Sequence, residues 1–284
     1  ARLADDRDRF TFVHREVHTA DSFGRATFCF ERNRQFVDFQ QRLAYPAARE
    51  YTEALRTGLN EGLKHIPGSG DDLYTRLEQS PELESMFFRG MNSWSELSNP
   101  VLLHQVDYGD VTRVLDIGGG GGVNAIALAR SHPHLTVTVF DLEGAVEVAR
   151  RNIDGAGLND RIELVVGDMF VDPMPTGHDL ILFANQFVIW SPEQNYTLLK
   201  QAYEALPAGG RVRVFNAFAD DDGTGPLYVA LDNVYFATLP SAEATIYRWC
   251  EYEDWLVEAG FVEVLRVAAH GWTPHGVIEG RKPR

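Results

Sequence analysis

Cysteine is scarce in this chain: its 284 residues include two, Cys29 and Cys250. Two cysteines without a spacing pattern do not form a disulfide framework, so a reduced, cytoplasmic location is expected. No cluster of cysteines and histidines has the spacing of zinc ligands, and no metal site is predicted. Apolar runs are short as well: none approaches the ~18 residues of a membrane-spanning helix, and no signal-peptide pattern opens the chain.

Basic residues are the second shortage. The chain has 26 lysines and arginines against 41 aspartates and glutamates, which makes a formal net charge of −15. Nucleic acids and anionic membrane surfaces attract proteins that present a basic face. Neither is therefore expected as the main partner. The length suits one or two domains that bury a full core.

Glycine, in contrast, is concentrated in one stretch. Residues 114–117 form a short apolar run, five glycines follow at 118–122, and residues 123–129 have helical composition. This pattern predicts a buried strand, a tight turn and the start of a helix. Glycine allows positive φ in the turn and lets a ligand lie against bare backbone, while the first helical turn offers free N–H groups. No Gly-Lys-Ser/Thr follows, which excludes a P-loop.

Three further apolar segments end in polar residues. Residues 136–140 lead into Asp141, residues 162–166 into the sequence GDMF at 167–170, and residues 179–184 into Asn185 and Gln186. Such near-continuous apolar strands, alternating with helical segments, predict a parallel α/β sheet that is covered on both faces. Ligands of these sheets bind at the carboxyl ends of the strands, and an acid at the position of Asp141 suits the ribose diol of a nucleotide.

Together, the motifs VLDIGGGGG, VFDLEGAVEVAR, RIELVVGDMF, LPAGGRVRV and EDWLVEAGF resemble those of class I methyltransferases, which use S-adenosylmethionine (SAM) and release S-adenosylhomocysteine. Within that class the chain is similar to the plant-type O-methyltransferase family, including its bacterial natural-product branch. The motifs span about residues 108–280. The resemblance implies a Rossmann-like α/β methyltransferase domain at 106–284. It also implies that residues 1–105 are a mainly helical region that forms a homodimer and a lid over the substrate.

The resemblance further implies a SAM site at the carboxyl ends of the strands. In this site Asp141 binds the ribose, Leu142 packs on the adenine, and Asp168 reaches the exocyclic amine. Asp141 has a second interpretation, as the N-cap of the following helix. Asp116 has two: its carboxylate could accept hydrogen bonds from the amino group of the methionine part of SAM or from the N–H groups of the glycine loop. The implied cofactor contacts are Asp116, Gly118, Gly120, Asp141, Leu142, Asp168, Met169, Phe170 and Asn185.

A second set of residues is implied to face a small-molecule acceptor. They lie on the helix around residues 89–103, on the segment after the fourth strand, and on the helix at residues 227–239. The set is Met91, Trp94, Gln186, Trp190, Asn233 and Phe236. Ordinary core packing is the competing interpretation, because residues three apart, such as Met91 and Trp94, share one face of any packed helix.

The segment after the fourth strand departs from the family pattern. Where the family has a catalytic histidine followed by an aspartate, in a Leu-His-Asp-Trp segment, this chain has Val188 and Ile189 before Trp190. No imidazole can take a proton at that position. Other side chains are candidates for a replacement base, and the sequence does not rank them. These candidates are Glu243, Glu251, His104 and His270.

The expected activity is SAM-dependent methyl transfer to a small aromatic acceptor of secondary metabolism, with O-methylation as the family default. The missing histidine makes C- or N-methylation of an aromatic or amino-acid-derived acceptor the alternative. A protein that keeps the SAM fold for binding, without turnover, is a further alternative. A nicotinamide oxidoreductase would share the glycine loop but is disfavoured by the GDMF motif.

Overall fold

The computed structural model describes residues 34–284 except residues 269–272 and 274, so the candidate base His270 and Cys29 lie outside the described residues. The helices are α1 (Tyr45–Ala48), α2 (Tyr51–Thr57), α3 (Leu73–Leu77), α4 (Pro81–His104), α5 (Val123–Ser131), α6 (Glu143–Ala156), α7 (Pro192–Ala205), α8 (Leu227–Thr238) and α9 (Trp249–Ala259). The strands are β1 (Arg113–Ile117), β2 (Thr136–Asp141), β3 (Ile162–Val166), β4 (Leu180–Ala184), β5 (Arg211–Ala217), β6 (Val262–Ala268) and β7 (His275–Arg281). Residues 34–39 are also helical and lead into a π-helical turn, Gln40–Ala44, and a 3₁₀-helix, Glu61–His65, lies between α2 and α3. No helix in the described ranges has the length and apolar character needed to cross a membrane.

The seven strands form one sheet in the order β3-β2-β1-β4-β5-β7-β6. β1 to β5 pair in parallel, and β7 runs antiparallel to β5 and β6. The chain moves outward from β1 through β2 to β3, then returns to place β4 on the other side of β1. This reversal opens a crevice at the carboxyl ends of β1 and β4, where ligands of such sheets bind. The predicted Rossmann-like α/β fold is confirmed.

Apolar side chains cover both faces of the sheet, as near-continuously apolar strands require. All five residues of β4 are buried. One core cluster includes Leu198 of α7 and Leu256 of α9, and the other includes Leu128 of α5 and Ile153 of α6. The helices therefore divide between the two faces, and the crevice lies at the strand ends between them.

The helices before residue 105 have a core of their own. α8 joins this core at its end, so the helical part and α8 pack as one unit. Its fully or nearly fully buried members include Phe39, Leu43, Leu73, Leu77, Phe87 and Leu239.

One long helix, α4, links this helical core to the sheet. Pro81 occupies its first turn after Ser80, which suits a helix start. The helix then continues for 24 residues. It carries Phe87 in the helical core and Trp94 beside His275 of β7. α4 thus reaches the edge of the sheet at which the strands β1, β4 and β5 end.

Candidate active site

The glycine loop after β1 turns so sharply that three positions need left-handed backbone. Gly118, Gly120 and Gly122 have φ of +65°, +55° and +74°, a region that residues with a Cβ rarely adopt. A Cβ at Gly118 would lie 2.7 Å from the Gln186 amide, whereas a Cβ at Gly120 would meet nothing within 4 Å. Gly120 therefore faces open space, from which a ligand can approach the bare backbone.

Asp116 lies beneath this loop at the end of β1. Its side chain is fully buried, and neither carboxylate oxygen has a hydrogen-bond partner among the described residues, so it does not bind the N–H groups of the loop. Burial, with a smaller contribution from the charge of Asp141, raises the pKa of Asp116 to about 7. A buried carboxylate without a donor suits a ligand that brings a cationic donor, and the ammonium group of SAM is one. The residues of the loop therefore fit SAM.

Asp141 ends the neighbouring strand β2 and holds the glycine loop. Its carboxylate accepts hydrogen bonds from the N–H groups of Gly120 and Leu142, both at 2.7 Å. The N-cap residue of α6 is Leu142, so the interpretation of Asp141 as the N-cap is wrong. Leu142 is 57% exposed, which leaves an apolar surface beside the loop. The ribose contact of Asp141 and the adenine contact of Leu142 remain predictions.

The GDMF segment follows β3, which pairs with β2, so Asp141 and Asp168 lie at adjacent strand ends. One oxygen of Asp168 accepts a hydrogen bond from the Phe170 N–H at 2.8 Å. Phe170 packs edge-on against Trp190, with 5.0 Å between ring centroids, and Met169 packs against the same core cluster. Their contacts with adenine remain predictions.

Two residues after β4 brace the strand ends. Asn185 adopts a left-handed backbone with φ of +59°, and its Oδ1 accepts a hydrogen bond from Nε2 of His275 at 2.9 Å. Gln186 donates from Nε2 to the Gly118 carbonyl at 2.9 Å. Gln186 therefore supports the glycine loop, and its predicted contact with the acceptor remains a prediction, as does the cofactor contact of Asn185.

His275 is a residue of this region that the sequence reasoning missed. It begins β7 opposite Ala217 of β5 and is 2% exposed. Burial lowers the pKa of His275 to about 3, so the ring stays neutral. Because Nε2 donates to Asn185, Nδ1 carries no proton, and Nδ1 has no hydrogen-bond partner among the described residues. No local signal marks His275, since Asn185 lies 90 residues earlier in the chain.

Trp94 of α4 stands between α8 and β7. Its ring stacks on Phe36 at 5.0 Å and lies parallel to the ring of Tyr228 of α8 at 6.3 Å between centroids. It also lies 5.3 Å from the ring of His275. Trp94 is half-buried, so part of its ring is open to a flat ligand. This position is compatible with the predicted acceptor contact, which remains a prediction.

Three other residues predicted to face the acceptor make packing contacts. Met91 packs against the core of the N-terminal helices. Asn233 accepts a hydrogen bond from the Ile246 N–H at 2.8 Å, which ties α8 to the segment before α9. Phe236 packs against an apolar cluster that includes Val229 of the same helix. For these residues the structure gives the contacts of the competing interpretation, ordinary packing.

Val188, at the position of the family's histidine, lies in apolar surroundings. Val188 is 5% exposed, and Ile189 packs against the same cluster. The next residue, Trp190, has a buried Nε1 without a hydrogen-bond partner among the described residues. The segment is therefore built for packing and has no group that takes a proton. The buried members of the apolar cluster are Val188, Ala217, Val229 and Ile246.

The candidate bases from the sequence lie at solvent or at a helix end. Glu243 and His104 are exposed. Glu251 accepts hydrogen bonds from the N–H of Arg248 at 2.8 Å and from its guanidinium at 3.1 Å, so its carboxylate caps the start of α9. None of the three is thus placed by the structure as a base within the site.

Asp232 of α8 is a second residue that the sequence reasoning missed. It is half-buried and makes no hydrogen bond or ion pair with any described residue. Burial raises its pKa to about 7. The pKa of Tyr228, one turn earlier, is raised to about 12 by its own burial and then by the charge of Asp232. The four-residue spacing of this pair on a helix implied to face the acceptor was the available signal.

Metal ligands do not gather in the part of the chain that the structure describes. No group of three or more histidine, cysteine, aspartate or glutamate side chains there could hold a metal ion.

Known proteins share this sequence and fold. The O-methyltransferase domain family matches residues 49–262. The L-tyrosine C(3)-methyltransferase of Streptomyces lavendulae is 45% identical over 255 residues, which cover 89% of this chain and 70% of that protein. The 3-hydroxy-5-methyl-1-naphthoate 3-O-methyltransferase of Streptomyces sahachiroi is 35% identical over 247 residues, which cover 87% of this chain and 69% of that protein.

A solved structure extends the similarity to the whole fold. The SAM-dependent methyltransferase SibL, in its apo form, superposes with a TM-score of 0.82 at 58% identity, over 90% of this chain and 75% of that chain. The protein is thus an enzyme that uses SAM, which excludes the nicotinamide oxidoreductase. The chain belongs to the O-methyltransferase family of SAM-dependent methyltransferases.

Proposed function

We propose that this enzyme transfers the SAM methyl group to a ring carbon of a small hydroxylated aromatic acceptor in natural-product biosynthesis. The observation that carries the proposal is the surroundings of Val188, which lies in an apolar cluster with Val229 and Ile246 where the family has its histidine. The usual arrangement for methylating a phenol oxygen is thereby missing. A relative of 45% identity, named for methylation at C3 of L-tyrosine, supports a carbon acceptor and an amino-acid-derived ring.

The chemistry of such an acceptor suits a site that lacks a base at the position of Val188. A ring carbon next to a hydroxyl is nucleophilic because the oxygen lone pair raises the electron density there. SAM supplies an electrophilic methyl group, so the protein has to hold the ring carbon, rather than the oxygen, in line with it and exclude water. The parallel rings of Trp94 and Tyr228 offer a flat surface that would orient an aromatic acceptor.

The helical part before residue 105 is the lid in this proposal. Its core includes Leu239 just after α8, and Tyr235 of α8 packs against that core, so α8 and the N-terminal helices cover the acceptor together. The proposed boundary between 1–105 and 106–284 falls between the end of α4 at His104 and the start of β1. Homodimer formation and a cytoplasmic location remain predictions.

The direct test is turnover with SAM whose methyl group is labelled with carbon-13. L-Tyrosine, its deaminated analogue and simple catechols would be offered separately, and the chemical shift of the transferred methyl would be read by NMR. The proposal expects a methyl group on an aromatic carbon. A methyl group on oxygen or nitrogen in every product would overturn the proposed carbon acceptor, and SAM binding without transfer to any acceptor would favour the binding-protein alternative.

A further inference from the structure

Methylation of a hydroxylated ring releases one proton overall, and a base that takes it early raises the reactivity of the ring. The position of the family's base is filled by Val188 in an apolar cluster. Of the candidates that the structure describes, Glu251 is committed to the helix cap, and Glu243 and His104 are exposed. The base must therefore be sought on another element that borders Trp94.

A row of aromatic rings begins and ends on one face of α8. Its two ends lie four residues before and three residues after Asp232, spacings that place all three residues on the same helix face. Neighbouring rings in the row are in contact, with centroid distances of 6.3, 5.0, 6.1 and 5.5 Å. In order, the row is Tyr228, Trp94, Phe36, Phe39 and Tyr235.

Asp232 thus lies on the helix face between the two tyrosines that end the row, and no described residue pairs with its carboxylate. It makes no hydrogen bond or ion pair with a described residue, whereas the carboxylates of Asp141 and Asp168 are both engaged by backbone N–H groups. Asn233, the next residue, ties α8 to Ile246 and fixes the rotation of the helix. An available carboxylate at a fixed position beside stacked rings is what a base for an aromatic hydroxyl requires.

The charges around Asp232 leave it able to titrate at neutral pH. Burial is the cause that raises its pKa to about 7. Tyr228 on the same helix stays protonated, since its own pKa is about 12. Charged residues near α8 form ion pairs with each other: Arg56 with Glu53, Lys64 with Glu50, and Arg34 with Asp38.

We propose that Asp232 is the base that accepts the hydroxyl proton of an aromatic acceptor stacked along Trp94. This inference rests on the proposed function, because it takes a hydroxylated aromatic ring as the substrate class. The Asp232 carboxylate takes the hydroxyl proton, and the electron pair of the oxygen moves into the ring. The ring carbon bonds the methyl group, and the pair of the broken carbon–sulfur bond stays on sulfur. The ring then loses its proton to water while the oxygen recovers a proton from Asp232, so one proton is released in total.

The test compares Asp232→Asn and Asp232→Glu with a matched control, Asp254→Asn, which changes an exposed carboxylate on α9. At saturating SAM, Asp232→Asn should lower kcat by about 10²-fold or more, and Asp232→Glu should recover part of the loss. Affinity for S-adenosylhomocysteine, measured by calorimetry, should not change in either variant. The control should keep the wild-type kcat.

The pH profile separates a base from a merely structural residue. Wild-type kcat should rise with pH through a midpoint of about 7, the pKa of Asp232. Asp232→Asn should not show this rise of kcat, which is the pH limb that Asp232 is expected to cause. Saturating SAM is required because Asp116 also has a pKa of about 7 and lies in the donor site. An acceptor whose hydroxyl is more acidic than that of tyrosine, such as 2,6-difluorotyrosine, should depend less on the base, so Asp232→Asn should lose less activity with it than with tyrosine.

Three results would overturn this assignment. One is a kcat that falls less than about threefold in Asp232→Asn, and another is an unchanged pH limb. The third is a loss confined to KM and to acceptors with an amino group, which would make Asp232 an ammonium anchor. The position of the methyl group is read in the same assay: a product methylated on oxygen refutes the carbon acceptor alone, and no product from any hydroxylated ring refutes both proposals.

Discussion

Asp116 is buried and has no hydrogen-bond donor among the described residues, so its ionisation lowers the stability of the folded protein in a way that depends on pH. Its pKa in the folded protein is about 7, against an ordinary value of 3.8. Because the folded pKa is raised, the folded protein holds this proton more tightly than the unfolded chain does. The stability that Asp116 contributes is therefore complete below pH 3.8 and is lost as pH rises through about 7. At about 1.4 kcal/mol for each pH unit, the complete loss is at most ~4 kcal/mol.

Asp116→Asn removes this titration and keeps the shape of the side chain. Between pH 5.5 and pH 8 the wild type loses about 2 kcal/mol of this stability, most of it below about pH 7. The variant has no group that titrates at this position, so its stability relative to wild type should rise by about 2 kcal/mol over that range. For a protein of this size that gain corresponds to about 4–8 °C in melting temperature. The same substitution removes the carboxylate that suits the ammonium group of SAM, so SAM affinity should fall while the ligand-free protein becomes more stable.

Urea denaturation of wild type and Asp116→Asn without SAM, at the two pH values, measures this difference. Asp254→Asn serves as the control, because its exposed carboxylate should give no pH-dependent gain. Calorimetry with SAM completes the comparison. A stability difference that stays constant with pH, or a variant that is less stable than wild type at pH 8, would refute the reasoning that Asp116 is a buried acid without a donor.

Two further substitutions probe the donor and acceptor sides. Asp141→Ala should weaken SAM binding by about 1–3 kcal/mol in calorimetry, because a charged acceptor and its hydrogen bond to the Gly120 N–H are lost; an unchanged affinity would remove Asp141 from the site. Val188→His should lower the free energy of unfolding by about 1–3 kcal/mol, since it buries an unpartnered imidazole in an apolar cluster, and it should not by itself give phenol O-methylation. Strong new activity of Val188→His on simple catechols would contradict that expectation.

Much of the donor site could be predicted because its signals are local. The strand, glycine turn and helix at residues 111–130 follow each other directly, and Asp141 and Asp168 come straight after apolar strands. Parallel pairing then brings these strand ends together without further information.

The acceptor side was harder to predict because its contacts join distant residues. Asn233 and Met91 were identified by their helices, but a helix does not say which of its faces meets a neighbour. Asn233 turns to the Ile246 N–H and Met91 to the N-terminal core. The pairing of Asn185 with His275 depends on β7 returning beside β5, which no local pattern indicates. The role proposed for Asp232 depends on residues that are distant from it in the sequence, such as Trp94, so the sequence alone does not indicate it.

The position of the transferred methyl group tests the central claim most directly. The acceptor that turns over best would be prepared with deuterium at both ring positions next to the hydroxyl. The mass of the methylated product would then be measured by mass spectrometry. Methylation of a ring carbon predicts that the product has lost one of the two deuterium atoms. A methylated product that keeps both deuterium atoms would show that the methyl group is not on a ring carbon next to the hydroxyl, and it would contradict the account.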